Sequence, residues 1–376
     1  MELKDICQYV SDRVATTSLS TSNYISTENM LPNKGGVVIA NGLPVGNAVA
    51  FAKDDVLVSN IRPYFKKIWQ ANKNGGCSAD VLCFRKNENV DNKYFYYLLS
   101  QQSFFDHMML GSKGCKMPRG DKKQIMNWSF DLPSLEEQKR IADILSSLDS
   151  KIELNRRIND NLEQQAQTLF DYYFSADSKY LSDSERGVLT NIAVYLNGLA
   201  MQKFPPTDSE HSLPVLKIKE LGQGKCDNNS DRCSSDIDSN YVIDNGNIIF
   251  SWSGTLMVDV WCGGKCGLNQ HLFKVTPLQD HPQWFIYYWT IRHLNTFKLI
   301  AKDKAVTMGH IKRVDLEKAE VIIPNKYSLV EMNAQIEPLY QSIINNRLQI
   351  AELETLRDAL LPKLMSGELK INNLNC

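Results

Sequence analysis

One feature limits this chain more than any other: it repeats itself. With a constant shift of 191 residues, Met117 falls on Met308, Pro133 on Pro324, and Asn155-Arg156 on Asn346-Arg347. Tyr96-Tyr97 falls on Tyr287-Tyr288 and Leu82 on Phe273. Further upstream the match slips by a single residue, and Asp55-Val56-Leu57-Val58-Ser59 then lies opposite Asn247-Ile248-Ile249-Phe250-Ser251. Identity is low, but residue class and order are kept. A repeat this long is two copies of one domain plan rather than a short-period solenoid.

Each copy reads in the same order. Short apolar runs come first, at residues 56–58 and 81–84 and again at 248–250 and 271–275, punctuated by Gly, Asn, Pro and Ser. That pattern predicts a small β-rich domain. An aromatic, helix-like stretch follows at 94–99 and 284–289, then a polar, basic loop at 111–123 and 302–313. A last short strand ends at Leu132-Pro133 or Ile323-Pro324.

The texture then changes. Residues 135–172 contain neither Gly nor Pro, and Ile141, Leu145, Leu148, Ile152, Leu162, Ala166 and Leu169 recur at helical spacing. The second copy gives Ile336, Leu339, Ile343, Ile350, Leu353, Leu360 and Leu364. Steps of three, four and seven predict long helices packed as a coiled coil. Ser134 and Glu137 form the Ser-x-x-Glu signature of a helix start. Pro338 implies that the second helix begins or kinks there. Asn155 and Asn346 both fall at core-type positions, where a single polar residue fixes register at a cost in stability. They are the candidate register residues; the alternative is that both point outward or bond locally.

At 376 residues, with 43% hydrophobic and 23% charged residues, the chain can build more than one core. Residues 1–10 lack the pattern of a signal peptide, and no run of about 18 apolar residues suggests a membrane span. Nine cysteines in irregular spacing then fit reduced thiols in the cytoplasm. Cys226, Cys233, Cys262 and Cys266 are too unevenly spaced for a zinc knuckle, so no metal is expected.

The net charge of −1 is uninformative about partners, so the placement of charge matters. Arg62, Lys66 and Lys67 cluster with Tyr64, Phe65 and Trp69 in a stretch without acids. Lys113, Lys116, Arg119, Lys122 and Lys123 crowd the loop before the first helix. Lys302, Lys304, His310, Lys312 and Arg313 occupy the same place in the second copy. Basic clusters of this kind supply phosphate contacts on DNA. An isolated cluster is more often solvated surface; recurrence in both copies favours the DNA reading. Ser59, Ser251 and Trp252 are weaker candidates, since their strand could simply be core.

With these features in view, the sequence resembles the specificity subunits of type I restriction-modification enzymes. Asp131-Leu132-Pro133-Ser134-Leu135-Glu136-Glu137-Gln138-Lys139-Arg140-Ile141 is similar to the start of that family's central helix. Asp55-Val56-Leu57-Val58-Ser59-Asn60-Ile61-Arg62-Pro63 resembles its strand-and-turn segment, and residues 111–119 resemble the loop closing a recognition domain. Leu360-Leu361-Pro362-Lys363-Leu364-Met365-Ser366-Gly367-Glu368-Leu369 resembles its closing segment. The second copy departs from this wording at Ser328-Leu329-Val330-Glu331 and at His310-Ile311.

The resemblance implies an α+β protein: two β-rich target-recognition domains in pseudo-two-fold repeat, separated by two long antiparallel coiled-coil helices. The expected divisions are residues 1–133, 134–175, 176–324 and 325–376. It implies a non-catalytic, cytoplasmic subunit whose domains each read half of a split DNA site. Two methyltransferase subunits and two motor-nuclease subunits are the implied partners, and S-adenosylmethionine, ATP and magnesium would be theirs. In agreement, the sequence holds no Asn/Asp-Pro-Pro-Tyr, no Phe-x-Gly-x-Gly, no phosphate-binding loop and no nucleophile elbow. The alternatives are a subunit of a related methyltransferase-nuclease system, an enzyme with fused activity, or a coiled-coil scaffold without a DNA role.

Overall fold

The computed structural model describes residues 1–114, 116–181, 183–303 and 309–370. The chain is α+β and divides into two compact units. The first comprises Met1–Ser150 with Glu354–Cys376, and the second Lys151–Leu353.

The repeat is one of topology as well as of sequence. The main sheet of the first unit runs in the order Cys7–Tyr9, Val81–Lys86, Val56–Ser59, Ile68–Gln70, with every neighbour antiparallel. That of the second runs Ala193–Asn197, Leu272–Pro277, Ile248–Ser251, Met257–Val260, again all antiparallel. The strands Val56–Ser59 and Ile248–Ser251 are buried at every position. Successive side chains of a strand face opposite sides, so such a strand must be covered on both faces. Val56 and Val58 enter the helical core while Leu57 enters the core of a second sheet. Ile248 and Phe250 against Ile249 divide in the same way.

The second sheets share three strands and differ at one edge. Gly75–Cys77 lies between the antiparallel Asn47–Phe51 and the parallel Tyr24–Ile25. Its counterpart Cys266–Leu268 lies between Val242–Ile243, antiparallel, and Ser212–Leu216, parallel. The added edge strand sits on the antiparallel neighbour in the first unit, as Arg13–Ala15, and on the parallel neighbour in the second, as Arg232–Ser234. This rearranged edge is one reason the two copies read so differently here.

The aromatic stretches are helices packed on the main sheets. They span Asn92–Leu99 and Gln102–Leu110 in the first unit and the unbroken Gln283–Asp303 in the second. Their buried rings, such as Phe95, Phe104, Trp284 and Phe285, lie in the main cores.

Two long helices follow the repeats, Leu135–Tyr173 and Lys326–Met365. Ser134 starts the first, its Oγ accepting from the Glu137 N–H at 3.3 Å. Gln138, 1% exposed, accepts from the Asp91 N–H at 2.9 Å and donates to the Pro133 carbonyl at 3.0 Å. The second copy lacks that glutamine and instead bonds Trp284 Nε1 to Asn333 Oδ1 at 2.8 Å. Pro338 neither starts nor ends the second helix, which runs from Lys326 through it. Of the two alternatives, a start or a kink, the start at this proline is therefore corrected: a single lost N–H is tolerated within a 40-residue helix anchored on both sides by buried Met332, Ile336, Tyr340 and Ile343.

The helices pair antiparallel within each unit. In the first unit Ile141, Ala142 and Leu145 share a core with Leu361, Leu364 and Met365. Asp149 accepts from the Tyr97 hydroxyl at 2.5 Å and from Arg357 Nη1 at 2.8 Å. In the second unit Arg347 donates to Asp259 at 2.6 Å and to Glu163 at 2.9 Å. Burial opposes the Arg347 charge, but the two carboxylates more than offset it and hold its pKa above the ordinary value.

Asn155 and Asn346 both reach across the helix pair, to different partners. Asn155 Nδ2 donates to Gln349 Oε1 at 3.2 Å, and Asn346 Nδ2 to Asn159 Oδ1 at 2.9 Å. Asn159 in turn donates to the Ile343 carbonyl at 3.2 Å. Asn159 is buried whereas Gln349 is exposed, so the two bonds are unequal in weight. Asn346→Leu should destabilise the protein by about 1–2 kcal/mol, because it strands the buried Asn159 oxygen. Asn155→Leu should cost less than about 1 kcal/mol, because Gln349 regains water. Urea unfolding of the two variants checks the order, and equal losses would count against it.

Candidate nucleic-acid interface

The basic segments lie where the buried central strand of each main sheet runs out. In the first unit Ser59 Oγ donates to the Ile61 carbonyl at 3.0 Å, turning the chain as it leaves the sheet. Arg62 and Lys66 then adopt left-handed backbone, at φ 51° and 50°, on either side of the short turn Pro63–Phe65. Non-glycine residues in that region cost free energy and persist only where the surroundings hold them. Here the Phe65 and Lys66 carbonyls accept from the Asn33 and Lys34 N–H groups at 2.8 and 3.0 Å. The turn presents Tyr64 and Phe65, 48% and 38% exposed, with ring centroids 4.7 Å apart.

A hairpin is sewn onto this turn. Lys113 and Arg119 exchange backbone hydrogen bonds of 3.0 and 3.1 Å. The Arg62 N–H donates to the Pro118 carbonyl at 2.9 Å, and Asn60 Nδ2 to that of Gly120 at 3.2 Å. A side chain at Gly120 would come within 3.0 Å of Asn60 Oδ1. Asp121 caps the short helix Lys122–Met126, and the Gln124 and Lys123 N–H groups hold its carboxyl below the usual range.

The cations of this surface differ in freedom. Lys113, Lys116, Lys122 and Lys123 are exposed. Lys113 lies 4.0 Å from Asp121 and Arg119 3.1 Å from Asp80. Lys67 donates to the Thr27 carbonyl at 2.6 Å, and burial lowers its pKa. Arg62 is half-buried, with Nη2 3.5 Å from the Lys116 carbonyl. Lys66 is half-buried, and Lys122 Nζ stands 6.0 Å over the Tyr9 ring.

The second unit repeats the junction. Ser251 Oγ donates to the Ser253 carbonyl at 3.2 Å. Ser253 bridges His310 as Ile61 bridges Arg119, and the Ile311 N–H donates to the Trp252 carbonyl at 3.0 Å. Lys302, Lys312 and Arg313 are exposed, with Arg313 3.6 Å from Glu317. His310 is half-buried, its ring 6.3 Å from that of Trp252. Lys304 lies outside the described residues. Ser59 and Ser251 are buried and touch no ligand surface; they set the turn. Asn155 and Asn346 lie in the helix pair, not with these cations.

A third segment completes each junction, and sequence reasoning missed it. The Asn60 N–H donates to the Asp80 carbonyl at 2.8 Å, and the Trp252 N–H to that of His271 at 3.4 Å. Asp80 and His271 are repeat equivalents, each opening the strand beside the central one. That shared register was the available signal. In the second unit the turn is fixed from below: the Leu199 N–H donates to the Leu268 carbonyl at 2.9 Å, and a side chain on Gly198 would lie 2.2 Å from the Asn269 carbonyl oxygen. Such a surface can neutralise phosphates and offer polar groups to base edges. Among the described residues no group of His, Cys, Asp and Glu could hold a metal ion, and no helix is long and apolar enough to cross a membrane.

A family model described as "Type I restriction modification DNA specificity domain" matches residues 1–164 and 183–355. The MjaIX specificity subunit of Methanocaldococcus jannaschii is 26% identical over 76% of this chain and 71% of its own length. The HindI specificity subunit of Haemophilus influenzae is 22% identical over 98% of each chain. The solved S subunit of the type I system of M. genitalium shares the fold with a TM-score of 0.59, at 14% identity, covering 97% of this chain and 95% of that one. With both halves matched in order, the chain belongs to the family of type I restriction-modification DNA specificity subunits.

Proposed function

We propose that each unit reads one half of a split DNA sequence through its three-segment junction. The observation that carries this is the recurrence, in both units, of exposed cations on a loop bonded to the end of the central strand. The cations supply affinity and register on the phosphates, and the side chains at the turns supply selectivity. The two junctions carry different side chains, so the half-sites differ. The long helices, of 39 and 40 residues and each about 60 Å, set the gap between the half-sites. Successive turns of duplex are about 34–36 Å apart, within that length. Asn155 and Asn346 fix the alignment on which the gap depends.

The chain performs no chemistry itself. Two methyltransferase subunits dock on the helices, two motor-nuclease subunits join for cleavage, and S-adenosylmethionine, ATP and magnesium serve those partners. The complex works on double-stranded DNA in the cytoplasm.

Purified chain given S-adenosylmethionine and DNA should neither methylate nor cut; activity of the chain alone would refute the division of labour. Changing Lys113, Lys116 and Arg119 together to Ala should weaken DNA binding and flatten its dependence on salt, by about 0.9 in log–log slope for each phosphate left without its cation. Lys67→Ala should change the slope less, since that ammonium is held by the Thr27 carbonyl. A slope unmoved by the triple change would remove the hairpin from the interface. Replacing residues 190–323 with those of another specificity subunit should alter one half-site of the methylated sequence and leave the other. A change in both halves would contradict the two-unit reading.

A further inference from the structure

The second unit contains a cleft that the basic loop does not account for. Its volume is about 590 Å³, and Gln202, Lys217, Lys219, Arg232, Gln270 and His271 are among its lining residues. The cations here are already engaged. Lys217 is bonded to Asp231, and Lys219 lies 3.5 Å from Glu220. Arg232 donates to the Ser212 hydroxyl and carbonyl at 2.7–2.9 Å. A phosphate would have to compete with those partners.

The neutral groups offer more. Gln270 is half-buried and Gln202 exposed. Among the described residues the Gln270 amide has one side-chain hydrogen-bond neighbour, His271 Nε2, at 3.5 Å from its Nε2. The backbone beneath is rigid: Asn269, 6% exposed, accepts from the His271 N–H at 3.2 Å and sits against Gly198. The cleft also adjoins the basic loop. His271 Nδ1 is 3.1 Å from Ser253 Oγ, and Ser253 bridges His310. Ser253 thus ties the Gln270–His271 turn to the segment that leads into Lys312 and Arg313.

We infer that this cleft receives a base edge from the major groove of the second half-site, and that the Gln270 carboxamide reads an adenine there. A glutamine amide donates to adenine N7 while accepting from N6, a pairing that guanine, cytosine and thymine do not match. At the equivalent place in the first unit stand Ala79 and Asp80, and Asp80 is bonded to Arg119. The reader is thus particular to one half-site. The inference rests on the DNA-reading role proposed above, and the test separates the two.

Duplexes randomised across the second half-site are selected on the full chain and sequenced, and binding is titrated with salt. Gln270→Ala should lower the preference for adenine at one position by about tenfold with the salt slope kept, since every phosphate keeps its cation. Gln270→Glu should move that preference toward cytosine, whose amino group a carboxylate can accept from. A retained slope also shows that the variant is folded. If both variants keep the wild-type preference at every position while Arg313→Ala flattens the slope, the cleft is not the reader and the DNA role stands. If wild-type chain shows neither sequence preference nor a salt slope, the DNA role falls and the inference with it.

Discussion

A loop can recognise a sequence only if its backbone is held, and in both units the holder is the buried central strand of the main sheet. Val56–Ser59 and Ile248–Ser251 cannot shift without emptying two cores at once. Each ends in a serine whose hydroxyl donates two residues ahead, to Ile61 or to Ser253. The turn so fixed bonds the basic loop on one side and the turn before the neighbouring strand on the other. The bridges from Ile61 to Arg119 and from Ser253 to His310 follow from that strand.

On this common frame the units differ in electrostatics. Where the first has Arg119 paired to Asp80 at 3.1 Å, the second has His310 and His271 on either side of Trp252. An arginine stays charged at all relevant pH, and its carboxylate partner aims it. An imidazole offers two ring nitrogens in place of the guanidinium's five N–H donors, and here both rings lie within 6.1–6.3 Å of the Trp252 ring. The same backbone therefore presents an ion-paired guanidinium in one half and two imidazoles beside an indole in the other.

The architecture was largely legible in the sequence because it rests on periodic patterns. The short apolar runs at 56–58 and 248–250 marked the strands, the heptad spacing from Ile141 onward marked the helix, and Ser134 marked its start. Pro338 does not mark the helix start because propensity speaks of one residue, whereas Met332, Ile336, Tyr340 and Ile343 bury the turns around it. The cations were legible as a cluster but not in their individual freedom: Lys67 reads like Lys113, yet its ammonium meets the Thr27 carbonyl. The cleft was hidden altogether. Gln202, Lys217, Arg232 and Gln270 come from four separate segments, and the pairings of Ser212–Leu216 with Cys266–Leu268 and with Arg232–Ser234 bring three of those segments together.

The net charge of −1 is also explained by position. Some of the acids that balance the lysines brace the architecture. Asp55 receives Arg85 at 2.7 Å, Asp149 receives Arg357, and Asp259 with Glu163 receives Arg347. Asp91, Asp121 and Asp238 cap helices. Asp55, Asp149, Asp259 and Glu163 are engaged with arginines other than the cations Lys113, Lys116, Lys312 and Arg313. A polyanion responds to local potential, which falls off over about 8–10 Å at ordinary ionic strength, not to the total over the chain. A chain of this kind needs acids for its helix pair and caps and free lysines for its loops, so a balanced sum is the expected result.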